Sequence, residues 1–122
     1  MMQWLNSLAR SFRCAFEGLA WLFRSQRNAR IHLAAVAVVS AAGWWLRITG
    51  MEWCVITLAC GLVLAAEAVN TAIEELADRI TGEKDERIRR AKDLGAAGVL
   101  IAAIAAAVAG LLIMGPRLLS RL

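Results

Sequence analysis

The sequence predicts an all-α membrane protein, in which three transmembrane helices follow an N-terminal amphipathic surface helix. Three observations carry this. Hydrophobic residues make up 60% of the 122 residues, and the mean hydropathy is +0.59, more apolar surface than a soluble domain of this length can hide. Charges are gathered rather than spread: arginines cluster before residue 31, and both signs cluster between 78 and 93. Apart from these clusters lie long uncharged runs. The length suits one domain, 1–122. The net charge of +4 sits in basic clusters that suit anionic headgroups or phosphates. No nucleic-acid partner is expected, because the apolar runs leave no soluble basic face.

The surface helix is expected over 3–24. Trp4, Leu5, Leu8, Phe12, Phe16, Leu19, Leu22 and Phe23 fall within about 120° of one another on a helical wheel. Arg10, Arg13, Glu17 and Arg24 lie on the other side. Aromatic residues opposite arginines describe a helix lying in the membrane interface, and packing against the protein's own core is the alternative. Residues 24–32 form a polar junction that turns the chain into the bilayer. His32, the single histidine, is read there as an interface anchor.

The second helix is expected over about 31–48, with Trp44 and Trp45 at headgroup level on the far side. Residues 47–52 make a tight turn. The third helix is expected over 52–80. It is uncharged from Trp53 until Glu67, and a helix covers only roughly 21 Å in that distance, less than the ~30 Å hydrocarbon core. Glu67 therefore lies inside the boundary, with Glu74 and Asp78 progressively closer to water. A second loop follows over 81–87, where Gly82 can end the helix. The fourth helix is expected over 88–114. Its 21 uncharged residues from 94 to 114 include Gly95, Ala96, Ala97, Gly98, Ala102, Ala103 and Ala106, small residues that permit close helix packing. Gly115 and Pro116 are expected to end it.

The N-terminus lacks a compact apolar core followed by a small-residue cleavage site, so no signal peptide is expected. Cys14, Cys54 and Cys60 have no metal-site spacing and read as apolar packing. Lysine and arginine set the orientation. Arg10, Arg13, Arg24, Arg27 and Arg30, with Arg79, Lys84, Arg87, Arg89, Arg90 and Lys92, oppose only Arg47, Arg117 and Arg121. That imbalance puts the N-terminus and the second loop in the cytoplasm.

On a helix, Glu67, Asn70, Glu74 and Asp78 fall at roughly 0°, −60°, −20° and +20°, a single polar stripe. Carboxylates at the edge of a bilayer are costly unless paired, protonated or bound to a cation. Beside Lys92 and several arginines they fit phosphoryl transfer to a lipid, which needs cations around the phosphates and a base near the attacking hydroxyl. Glu67, the most desolvated, suits the general base, and Glu74, nearer water, suits a metal ligand. A salt-bridge network between Glu74, Asp78 and the basic loop accounts for part of the same pattern. Neither a GxxxxGK[ST] phosphate loop nor the HRD and DFG signatures of protein kinases occur.

The motif Glu67-Ala-Val-Asn70-Thr-Ala-Ile-Glu74, followed by Asp78-Arg79-Ile80 and Arg90-Ala-Lys92-Asp93-Leu-Gly95, closely resembles the small bacterial diacylglycerol kinase family, which includes undecaprenol kinases. The resemblance runs from about residue 16 to 114. It implies a single membrane kinase domain in the bacterial cytoplasmic (inner) membrane. It also implies a homotrimer with sites between subunits, and MgATP-dependent phosphorylation of a membrane lipid alcohol. By motif position Glu67 is the catalytic base and Glu74 a metal ligand that also meets the nucleotide. Asn70 joins Glu67 at the substrate, and Glu83, Lys92 and Asp93 contact nucleotide. The family usually carries a glutamate at the position of Gln26. Gln26 is taken as a metal ligand here, through an amide oxygen that brings no negative charge. The first reading of the substrate is diacylglycerol, giving phosphatidic acid. Undecaprenol, giving undecaprenyl phosphate, is the alternative, and the string Arg27-Asn28-Ala-Arg30-Ile31-His32 looks more like that branch. A weak or inactive scaffold relative is the remaining reading.

Overall fold

Each apolar run forms one long helix in the computed structural model, which describes residues 1–80 and 82–122. In order these are α1 (Met2–Ser25), α2 (Arg27–Leu46), α3 (Gly50–Ile80) and α4 (Glu86–Arg121). Helices α2, α3 and α4 are long and apolar enough to cross a membrane. Thr81, the first residue of the expected second loop, lies outside the described residues.

The amphipathic pattern makes α1 a helix with little to pack on. Trp4, Leu5, Leu8, Phe12, Phe16 and Leu19 remain exposed, and only Leu22 is buried. Its last turn is nevertheless fixed. Helix C-termini leave carbonyls without partners, and Arg30 of α2 donates from Nη1 to Phe23 O at 3.0 Å and Arg24 O at 2.9 Å. The expected junction over 24–32 is thus only one residue long. Gln26, extended at φ −108° and ψ 114°, separates two helices.

A tight connection joins α2 to α3. Arg47 takes the left-handed conformation (φ 55°, ψ 51°) that ends α2. A reciprocal capping box then starts α3: the Thr49 N–H donates to Glu52 Oε1 at 2.9 Å, and the Glu52 N–H donates to Thr49 Oγ1 at 3.2 Å. Leu46, Ile48 and Ile56 are buried beside it, packed by Val39, Trp53, Ile113 and Met114. Trp53 lies so close to α2 that a Cβ on Gly43 would stand 2.8 Å from its ring.

Helix α4 begins at Asp85, whose Oδ1 accepts from the Arg87 and Ile88 N–H groups at 2.9 and 3.1 Å. It returns along α3, its most extensive neighbour. The expected stop at Gly115 and Pro116 does not occur, since α4 runs through Pro116 to Arg121. Proline removes one backbone donor and crowds the preceding turn, and side chains hold the helix together there. Arg117 Nη1 donates to Ile113 O at 3.1 Å and to Glu52 Oε2 of α3 at 2.6 Å. Beyond it, the Arg121 guanidinium stacks 4.9 Å from the Trp45 ring centre. Much of the apolar surface of α4, including Leu100, Ile101, Leu111 and Leu112, stays uncovered, ready for lipid or another helix.

Candidate active site

The site is built on one face of α3, opposite the end closed by Glu52 and Arg117. Residues three and four apart share a helix face, and this face carries Glu67, Asn70, Thr71, Glu74 and Asp78. Their exposure is graded. Glu67 and Thr71 are buried at 3% and 5% exposure, Asn70 and Glu74 are half-buried, and Asp78 is exposed.

Glu67 has a partner that sequence spacing does not suggest. His32 Nε2 of α2 lies 3.2 Å from Glu67 Oε1. The anchor reading of His32 is therefore replaced. Its ring turns into the bundle, and its side chain is 23% exposed against 4% for Glu67. A buried carboxylate needs a polar partner to offset its lost hydration. The only signal of this in the sequence was an isolated deep acid and a single histidine near the same end.

One turn along, Asn70 Nδ2–H donates to Glu74 Oε1 at 3.4 Å. The other atom of that amide, Asn70 Oδ1, is buried with no partner among the described residues. Gly95 of α4 makes the approach possible, since a Cβ there would overlap Asn70 Oδ1. Farther along, Asp78 pairs with Lys92 of α4. Within the expected salt-bridge network, the partner of Asp78 is Lys92, across the α3–α4 hairpin. The charge of Glu74 also acts on Lys92. Among the described residues the salt-bridge reading thus holds directly for Asp78, while Glu74 reaches Lys92 only through its charge and Glu67 pairs with His32 instead.

Asp78, Glu83, Lys84, Arg89 and Lys92 line a hollow of about 700 Å³ between the ends of α3 and α4. Its mixed charges suit a polyanion accompanied by a cation. Asp93 is exposed on α4 and does not line the hollow. Gln26 is half-buried at the α1–α2 joint, and its side chain caps neither helix.

The donor set fits Mg²⁺ in a limited way. Mg²⁺ favours oxygen ligands and usually takes one or two carboxylates, with phosphate oxygens completing the shell. Glu74 offers such a carboxylate, and the unpartnered Asn70 Oδ1 beside it is a further hard acceptor. No group of three or more His, Cys, Asp or Glu among the described residues forms a self-sufficient cage. The chain thus has the oxygen donors for a metal that arrives with its phosphates.

Glu67 lies about three turns along α3 from Asp78, which pairs with Lys92 of α4. One helix face thus carries a buried acid suited to a hydroxyl in the apolar phase and leads to a lysine suited to an aqueous phosphate. The comparisons with known proteins make the class specific. Residues 13–114 match the profile described as prokaryotic diacylglycerol kinase. An undecaprenol kinase of Bacillus subtilis (strain 168) is 35% identical over 114 residues, 93% of each chain. A diacylglycerol kinase of Synechocystis is 40% identical over 112 residues, 90% of this chain and 63% of that one. A diacylglycerol kinase of Escherichia coli (strain K12) is 33% identical over 94 residues, 77% of each chain. The chain belongs to the prokaryotic diacylglycerol kinase family and is a multi-pass membrane protein and lipid kinase.

Proposed function

We propose that the protein transfers the γ-phosphoryl group of ATP to the hydroxyl of a membrane lipid alcohol, with Glu67 as general base. The observation that carries this is the burial of Glu67 at the head of a face that ends in the Asp78–Lys92 pair. The lipid hydroxyl gives its proton to Glu67 while its oxygen bonds to the γ-phosphorus. The bond from that phosphorus to the bridging oxygen breaks, and ADP leaves with the electron pair. Base catalysis at such a position contributes on the order of 10²–10⁴-fold.

The remaining residues serve binding. Asn70 helps to hold the substrate beside Glu67. Glu83, Lys92, Asp93 and Glu74 meet the nucleotide, with Lys92 as the cation nearest the stripe. Mg²⁺, when bound, would offset phosphate charge, held by Glu74 and by the Gln26 amide oxygen. The chain works as a homotrimer with sites between subunits, which accords with the uncovered apolar face of α4. It resides in the bacterial inner membrane with the N-terminus cytoplasmic, as the lysine and arginine imbalance directs.

Diacylglycerol is the proposed substrate, following the family description and the Synechocystis and Escherichia coli relatives. One observation favours undecaprenol as a second reading: the Bacillus subtilis undecaprenol kinase matches along 93% of both chains. The test is ATP-dependent phosphorylation of each lipid in mixed micelles. Product from diacylglycerol alone supports the first reading. Product from undecaprenol alone replaces it with the second. No product from either lipid over a wide Mg²⁺ range leaves the scaffold reading and makes Gln26 the residue at issue.

A further inference from the structure

We propose that His32 is a positioning residue for Glu67. Its Nε2–H donates to Glu67 Oε1, which fixes the carboxylate and leaves Oε2 to take the proton of the lipid hydroxyl. The inference rests on Glu67 being the base. Three observations carry it. The two atoms lie 3.2 Å apart, an ion-pair distance that puts the imidazole edge against one carboxylate oxygen. The Glu67 side chain is 4% exposed, so the partner that orients it comes from protein rather than water. His32 also lines an apolar cavity of about 500 Å³ that continues past Val36, Val63, Ala103 and Met114. The rest of that wall is aliphatic apart from glycine, cysteine and methionine side chains. His32 is thus the one ring in contact with both the base and the apolar space beneath it.

Held in this way, Glu67 keeps one rotamer among the packed helices. A carboxylate has two equivalent oxygens, and occupying Oε1 makes them inequivalent. A misplacement of about 1 Å of a reacting group costs on the order of 100-fold in rate, so the effect of His32 belongs in kcat rather than in the KM for ATP.

Two replacements of similar bulk separate donor from volume. His32→Gln keeps an N–H donor, and His32→Leu does not. In the micelle assay His32→Leu is expected to lower kcat by on the order of 100-fold with the KM for ATP nearly unchanged, and His32→Gln to restore most of the rate. In a Glu67→Gln background, His32→Leu should cost nothing further, since residues acting as a unit are not additive. Equal rates for Leu and Gln, or additive losses, would overturn the inference while leaving Glu67 as base. Full activity of Glu67→Gln alone would overturn the base assignment and the inference with it. A readout independent of turnover is available because His32 is the only histidine. Protein labelled with ¹⁵N-histidine should place the proton on Nε2 and shift the imidazole resonances when Glu67 becomes Gln. Identical resonances in the two proteins would contradict the contact.

Discussion

The two ends of the helical bundle spend their polar residues differently. At one end Glu52 and Arg117 satisfy each other, Thr49 and Glu52 cap α3 reciprocally, and Arg121 covers Trp45, all around buried Leu46, Ile48 and Ile56. At the other end the groups keep spare capacity. Glu67 has one oxygen beyond its His32 contact, Asn70 Oδ1 is buried without a partner among the described residues, and Lys92 answers to both Asp78 and Glu74. A buried acceptor left unsatisfied is destabilising, and such groups cluster where a ligand completes them. The contrast teaches that charge in this membrane protein closes the fold at one end and stays available for chemistry at the other.

The comparison is broken most severely at Glu67. Glu67→Gln keeps shape and a polar contact, so the helical fold and the melting temperature of the solubilised protein should change little. Turnover should fall by on the order of 10²–10⁴-fold. Gly95→Ala and Gly43→Ala sharpen the contrast, because both crowd a helix contact at opposite ends. At Gly95 the new methyl meets the end of the Asn70 side chain, which must move. Turnover per folded molecule should drop by about tenfold or more with a modest change in melting temperature. At Gly43 the methyl meets the Trp53 ring instead, and overpacking should cost about 1–3 kcal/mol of stability. Activity per folded molecule should then be retained. Thermal melts beside micelle kinetics on the same preparations check both.

Much of this division was legible in the sequence. Apolar runs and charge clusters located the four helices, and a wheel placed Glu67, Asn70, Glu74 and Asp78 on one face. What escaped were contacts between helices that periodicity does not encode. His32 reaches Glu67 from a different helix, and Asp78 selects Lys92 because the α3–α4 hairpin sets their register. The passage of α4 through Pro116 escaped for a related reason: the contact that steadies that turn comes from Glu52, far away in sequence. The unpartnered Asn70 Oδ1 could not be foreseen either, since it depends on how closely Gly95 approaches.

Two smaller effects complete the series. Arg117→Ala breaks a pair at the structural end, whose side chains are 32% and 23% exposed. It should lower the melting temperature by a few degrees at most and loosen the helix around Pro116, leaving kcat unchanged. Gln26→Glu restores a negative charge at the α1–α2 joint. It should lower the Mg²⁺ concentration for half-maximal activity severalfold, without altering the rate at saturating Mg²⁺. A titration showing no difference would remove Gln26 from the metal site.

The central claim is that Glu67 is the acid kept for chemistry. The most direct test measures kcat and melting temperature for the wild type, Glu67→Gln and Glu52→Gln in one set of micelle preparations. The account predicts a near-complete loss of turnover with normal melting for Glu67→Gln, and the reverse pattern, retained turnover with a lower melting temperature, for Glu52→Gln. Normal turnover in Glu67→Gln would contradict it.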